Sequence, residues 1–329
     1  MRGRQLAGYL HVDDTLVMGD GSHAGITGKV MEELANGSES LGFLVPERLH
    51  DHQLEKVVGY SIDRRPAAFR LHLKKAAQLQ DGLRRMVAAP MVRVDSLRSV
   101  IGVWIWGSLL RRELLSVPHS VFKFMDRCAG KCVRWWATAR SEVQFMATLV
   151  AFMKAEVGAP LSPVLFASDA QGSGEGDHGG WGVVAMDIDM STAEECLLVG
   201  LRPGLSISKL SGVFRGMKRP DLQIRRSTPF TKLPRHCLDA DKWHAVASGR
   251  WVYSDHVTLG ESRAVNKILD LLRNHGACHE HKVLALQDNM ATSGAYMKGR
   301  SPAPALNFLL RKRAGRCLAV RIQLLLPWV

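Results

Sequence analysis

The hydrophobic and polar positions along this chain change period several times. Gln5–Val12 and Thr15–Met18 are apolar runs on either side of Asp13-Asp14, the pattern of a β-hairpin whose tip carries two carboxylates. Gly25–Gly42 then has helical spacing and stops on a glycine. Val57–Ile62 and Phe69–Leu73 predict a second pair of strands, while Lys74–Arg85 and Ser96–Arg112 predict helices. Across His119–Ala137, the residues Val121, Met125, Cys128, Cys132 and Trp135 recur at steps of three and four. Lys123, Arg127, Lys131 and Arg134 fall on the opposite face of that predicted helix. The Cys128 and Cys132 pair reads as core packing and not as a metal pair. The basic stripe reads either as a solvated face or as a groove that tracks phosphates.

Lys154–Pro163, with one glycine and two prolines, reads as a linker, and the pattern beyond it is different. The chain is therefore divided at 158/159. Val164–Ser168 is an apolar run that ends in Asp169. The glycine-rich stretch Gly172–Gly182 leads into Val183–Ile188, predicting two strands joined by a long turn. Leu201–Arg250 holds eleven Lys/Arg against three Asp and is read as a long insertion or mobile basic loop, the insertion being placed at about 190–250. Trp251–Val257 predicts a returning strand and Gly260–Asn274 an amphipathic helix. Val283–Gln287 is an apolar strand that ends in Asp288. Ala303–Arg313 is a further helix and Leu318–Leu326 a final strand. The alternation makes the chain α/β (α+β), with a mixed sheet flanked by helices in its second half.

Composition narrows the partners. With 46% hydrophobic residues in 329, the chain can bury more than one core, and a charged fraction of 23% excludes a wholly disordered chain. A formal net charge of +13 points to polyanions. No apolar run approaches the roughly 18–20 residues of a membrane span; the longest, Val100–Leu110, is closed by Arg98 and Arg111. Asp13 and Asp14 interrupt the N-terminal apolar run, so no signal peptide is read. Six scattered cysteines do not form a disulfide framework, and the expected compartment is intracellular, cytoplasmic or nuclear. His275, Cys278, His279 and His281 read as a polar loop, and Gly172-x-Gly174-x-Gly176 as a turn, since no Gly-Lys-Ser/Thr follows.

Three acidic residues are oddly placed for mere solubility. Asp169 and Asp288 each end an apolar strand, and strand ends are where ligands and metals collect in a sheet covered by helices. Glu261 lies four residues before Val265, which with Ile268, Leu269 and Leu272 forms the apolar stripe of its helix. A carboxylate on that side of a helix start is either a charge favoured by the helix dipole or a group that needs a cap, a partner or a metal.

The order of these segments resembles the ribonuclease H fold. The residues that carry the likeness are Ser168-Asp169-Ala170, Gly179-Gly180-Trp181-Gly182-Val183-Val184, Leu259-Gly260-Glu261-Ser262-Arg263-Ala264 and Leu286-Gln287-Asp288-Asn289. Lys298-Gly299-Arg300-Ser301, Leu306-Asn307 and Leu309-Leu310-Arg311 resemble the RNase H portion of DIRS-type and gypsy-like retrotransposon polyproteins. The resemblance implies a nuclease that hydrolyses RNA in RNA–DNA hybrids. It implies Asp169, Glu261 and Asp288 as catalytic ligands of two Mg²⁺ (or Mn²⁺) ions, with Asn289, Lys298 and Arg300 beside nucleic acid. In that family a fourth acidic residue follows the last strand; here no acidic residue follows Asp288, and the domain is expected to be C-terminally truncated.

Leu10-His11-Val12-Asp13-Asp14-Thr15-Leu16-Val17-Met18-Gly19 resembles the Tyr-x-Asp-Asp hairpin of a reverse transcriptase palm. Leu41-Gly42-Phe43-Leu44-Val45 and Val57-Val58-Gly59-Tyr60 continue that order. The likeness implies the end of a palm and a thumb or connection region over 1–158, without the fingers or the earlier palm aspartate. Asp13 and Asp14 are accordingly read as a vestigial metal pair, or as one completed by other parts of a retroelement polyprotein. The alternative function is a catalytically inactive nucleic-acid-binding remnant.

Overall fold

A computed structural model describes residues 6–11, 14–19, 24–45, 48, 56–64, 67–172, 178–200, 233–252 and 254–329. Among the described residues the architecture is mixed α/β, with four sheets and helices packed against the larger two. Strands β1 (Leu6–His11) and β2 (Asp14–Gly19) pair antiparallel in the expected hairpin, followed by helix α1 (Ala24–Ser40). Asp14 opens β2; Asp13 lies outside the described residues.

The predicted second pair of strands is three. Val58 and Gly59 both adopt positive φ and make a tight turn, dividing Val57–Ile62 into β3 (Lys56–Val57) and β4 (Tyr60–Arg64). Strand β5 (Ala67–Leu71) pairs with β4. Helices α2 (Leu73–Ala88) and α3 (Val94–Ser108) follow, flanking the short strand β6 (Met91–Arg93). Leu79, Leu83, Leu97, Ile101 and Trp104 point from them into one core, where Trp104 Nε1 also donates to Met146 O at 3.0 Å. Indole burial without that bond would leave a donor unpaired.

The helix expected over His119–Ala137 ends early. Helix α4 runs only over Ser120–Arg127; Gly130 at φ 73° turns the chain, and Cys132–Arg134 is strand β7, paired with β6. The regular spacing of Cys128, Cys132 and Trp135 thus comes from a turn, a strand and the segment after it, not from one helix. Cys132 is exposed. The stretch read as a linker begins as strand β8 (Lys154–Glu156), which completes the order β3-β4-β5-β8 after helix α5 (Ala137–Leu149).

The second half is built on five strands: β9 (Leu161–Gln171), β10 (Gly180–Asp187), β11 (His244–Arg250), β12 (Lys282–Leu286) and β13 (Gln323–Leu325). Their order is β11-β10-β9-β12-β13. The first three make an antiparallel meander, and β12 lies parallel to both β9 and β13. Val283, Leu284, Ala285 and Leu286 are all buried, as a parallel strand covered on both faces requires. Helices α7 (Val257–Asn274), α8 (Met290–Lys298) and α9 (Pro304–Ala319) cover one face through Val265, Ile268, Leu269 and Leu310. Helix α6 (Met190–Gly200) and the 3₁₀ turn Arg235–Leu238 cover the other. Sequence reasoning missed α6 and α8. It also placed the returning strand at Trp251–Val257, whereas β11 precedes Trp251 and Val257 opens α7. Residues 201–232, most of the basic stretch, lie outside the described residues.

Cys196 on α6 and Cys237 face each other with sulfurs 3.9 Å apart. Burial pushes the Cys196 thiol up to about 12 and raises that of Cys237. Because the thiolate is the reactive form, iodoacetamide at pH 8 is expected to label exposed Cys132 first and to spare Cys196 and Cys237 until denaturant is added. Peptide mass mapping reads this directly; native labelling of Cys196 would contradict the packing described.

Candidate metal centre

Each of the three predicted carboxylates is delivered by a different element. Asp169 lies near the end of β9, Asp288 follows β12, and Glu261 lies at the start of α7. β9 and β12 are neighbouring parallel strands, so Asp169 near the end of one and Asp288 just beyond the other emerge side by side at one edge of the sheet. Glu261 reaches them because α7 packs closely over β9. Gly260 permits that approach, since a Cβ there would stand 3.3 Å from the Ala170 side chain. One carboxylate oxygen from each of Asp169, Glu261 and Asp288 lies within 4.8 Å of the others.

The three differ in exposure. Asp169 and Asp288 face solvent, while Glu261 is 4% exposed. Asp169 Oδ1 accepts from Ala170 N at 2.7 Å. Glu261 Oε2 accepts from Gln287 Nε2 at 2.9 Å, and the same nitrogen donates to Asp288 Oδ1 at 3.3 Å. Trp328 Nε1 donates to the Asp288 carbonyl at 2.9 Å and pins the strand end. Burial raises the Glu261 carboxyl to about 7 against the pull of Gln287, and hydrogen bonding to Asp169 and the charges of Asp169 and Asp288 add to it. Three acidic oxygens crowded around one point, one of them retaining a proton near neutrality, are a donor set short of positive charge. Hard divalent cations take such all-oxygen sets, so the residues fit a Mg²⁺-type ion.

The raised Glu261 has a consequence for stability. Its folded value lies above the ordinary carboxyl value of 4.5, so the folded chain binds more protons than the unfolded chain in between. Stability present below pH 4.5 is therefore lost as pH rises through 7. In EDTA, unfolding stability should fall over that window by at most about 3 kcal/mol, read as a falling urea midpoint, and Glu261→Gln should flatten the fall. An unchanged slope in the variant would show that Glu261 is not the titrating group.

The remaining predicted contacts are dispersed. Asn289 caps α8 by accepting from Thr292 N at 2.9 Å, so its side-chain oxygen is committed. Lys298 and Arg300 are exposed at the far end of that helix, where Arg300 lies 6.0 Å from the Phe122 ring of α4. Lys123, Arg127, Lys131 and Arg134 are all exposed, on α4, a turn and β7 in place of one helical stripe. Next to Asp169 runs a small groove lined by Gln171, His178, Trp251, Asp255 and Arg263. Trp251 pairs with Trp181 at 6.1 Å, and Lys267 Nζ lies 4.8 Å over Trp181. Sequence reasoning missed Gln287 and these tryptophans. For Gln287 the available signal was an amide closing an otherwise apolar strand. The histidine loop holds no metal cluster among the described residues: Cys278 is buried against Ser162, and His279 and His281 bond separate backbone carbonyls.

The chain matches no protein-family model and no curated protein. Among solved structures it is similar to a foamy viral protease–reverse transcriptase in complex with double-stranded DNA, at 9% identity and TM-score 0.35. That similarity covers 97% of this chain and 45% of the other. A second is foamy viral protease–reverse transcriptase in complex with RNA/DNA hybrid, at 10% identity and TM-score 0.29, covering 97% and 55%. This chain thus spans about half the length of either. At this level of similarity no activity transfers from them to this chain. Among the described residues, no helix is long and apolar enough to cross a membrane.

Proposed function

We propose that residues 159–329 are an RNase H-like nuclease domain of a retroelement polyprotein, hydrolysing RNA in RNA–DNA hybrids, and that residues 1–158 derive from the palm and thumb of a reverse transcriptase. The observation that carries this reading is the meeting of Asp169, Glu261 and Asp288 at one edge of the mixed sheet. These three would hold two Mg²⁺ or Mn²⁺ ions, which when bound lower the pKa of the attacking water and stabilise the leaving oxygen. Asp169 and Asp288 face solvent and present their oxygens to substrate; Glu261 anchors the set from within the fold. The tryptophan pair and Lys267 offer a stacking and cationic surface beside the carboxylates. Lys123, Arg127, Lys131, Arg134, Lys298 and Arg300 supply further phosphate contacts in this reading, which accords with the net charge of +13. Asp13 and Asp14 are assigned no polymerase step in this chain.

The test is incubation of the chain with an end-labelled RNA–DNA hybrid in Mg²⁺ or Mn²⁺, beside DNA duplex and single-stranded RNA. Cleavage confined to the RNA of the hybrid and abolished by EDTA is expected. Salt-sensitive binding without cleavage would overturn the nuclease reading in favour of an inactive nucleic-acid-binding remnant.

A further inference from the structure

Gln287 is a buried amide in an apolar place. It follows the run Val283–Leu286, is 1% exposed, and immediately precedes Asp288. Its Nε2 spends its hydrogens on Glu261 Oε2 at 2.9 Å and Asp288 Oδ1 at 3.3 Å. Its Oε1 is buried with no hydrogen-bond partner among the described residues. A buried acceptor left unpaired costs about 1–3 kcal/mol, and such groups are few in native proteins. The orientation follows from charge. Facing two carboxylates, the amide must point its N–H groups at them, and its oxygen is left where no described residue donates to it.

A divalent cation reverses that preference. Hard cations take amide carbonyl oxygens as well as carboxylates. The terminal torsion of glutamine is broad and roughly two-fold, so a half-turn exchanges Nε2 and Oε1 without moving the backbone. Neighbouring oxygens on an octahedral ion with 2.0–2.1 Å bonds are about 2.9 Å apart. The two contacts made now by Nε2, 2.9 and 3.3 Å, are of that size.

Resting on the reading of Asp169, Glu261 and Asp288 as a divalent-cation site, we propose that Gln287 is a reversible member of it: a donor that clamps Glu261 and Asp288 without the cation, and an oxygen ligand once the cation binds. The proposal explains both halves of the amide, the nitrogen aimed into the cluster and the oxygen left unpaired. It also predicts that a glutamate, which cannot donate but keeps the oxygens, preserves cation binding where alanine does not.

Two measurements test it. In the full chain, the ¹H–¹⁵N signal of the Gln287 side-chain amide, assigned by its disappearance in Gln287→Glu, is followed as Mg²⁺ is added. Loss of the two hydrogen bonds should move the signal and speed its hydrogen exchange about tenfold or more. Free Mn²⁺ is then measured by electron paramagnetic resonance. Gln287→Ala should bind about tenfold more weakly or worse, and Gln287→Glu at least as tightly as the parent. An amide that keeps its shift and protection at saturating Mg²⁺ would overturn the proposal. So would weakening of Gln287→Glu to the level of Gln287→Ala. Parental Mn²⁺ binding lost in Asp288→Asn but unchanged in Gln287→Ala would overturn this proposal alone. A parent chain that binds no Mn²⁺ would overturn the metal-site reading with it.

Discussion

Asp288→Asn is expected to cut Mg²⁺-dependent cleavage of an RNA–DNA hybrid by about a thousandfold or more, with Asp169→Asn equivalent. The substitution removes the charge from one of three acidic side chains whose oxygens lie within 4.8 Å of one another. A bound divalent ion contributes several kcal/mol to a phosphoryl-transfer barrier, and about 4 kcal/mol is a factor of a thousand. The fold should survive, because Asp288 is tied into the sheet edge through its carbonyl, which accepts from Trp328 Nε1 and is unaffected by the substitution. In EDTA the variant should melt no lower than the parent, since one repelling charge is gone from beside the buried Glu261. Added Mg²⁺ should raise the melting temperature of the parent and leave the variant unmoved. Full activity in Asp288→Asn would remove this carboxylate from the chemistry. Loss of activity together with a collapse of the melt would assign it a structural role.

Glu142→Ala is expected to carry the largest stability cost, about 3–5 kcal/mol. Glu142, on α5, is 8% exposed. Its Oε2 accepts from His119 N and Val121 N, both at 2.9 Å, and so closes the start of α4. Its Oε1 pairs with Arg311 of α9, which also donates to the carbonyls of Ser116 and Val117. Asn307 reinforces the junction by donating to Ser116 O at 2.8 Å. So does Gly299 at φ 74°, where a Cβ would stand 1.7 Å from Arg112 O. Removing the carboxylate leaves two amide donors unpaired and a guanidinium without its counter-charge. Glu142→Gln, which keeps an acceptor for the two N–H groups, should cost less, about 1–3 kcal/mol. A double-mutant cycle with Arg311→Met, read from urea midpoints, should give a coupling of about 0.5–3 kcal/mol. Additive losses would show that the ion pair does not join α5 to α9.

Much of the second half was legible in one dimension. Asp169 and Asp288 are marked by the apolar runs they end, and Glu261 by its phase against Val265, Ile268, Leu269 and Leu272. These are local patterns with periods of two and 3.6, and burial of the same residues in the sheet and helix follows from them. The failures were also physical. The spacing from Val121 to Trp135 satisfied a helix, yet pairing of Cys132–Arg134 with Met91–Arg93 and the turn at Gly130 ended it. Lys154–Glu156 looked like a linker because its partner, β5, lies more than eighty residues earlier in the chain. Long-range pairing of this kind leaves no local trace.

By itself the sequence determined the mixed α/β class, the basic charge that favours polyanionic partners, and the three carboxylates at element ends. Only the tertiary structure decided that these carboxylates meet, because parallel β9 and β12 deliver Asp169 and Asp288 side by side and Gly260 lets α7 bring Glu261 down upon them. It alone joined Gln287 to two of them and Arg311 to Glu142, contacts between residues 26 and 169 positions apart in the first and last of these pairs. Burial and distance belong to the packed chain, and at such separations no periodicity encodes them.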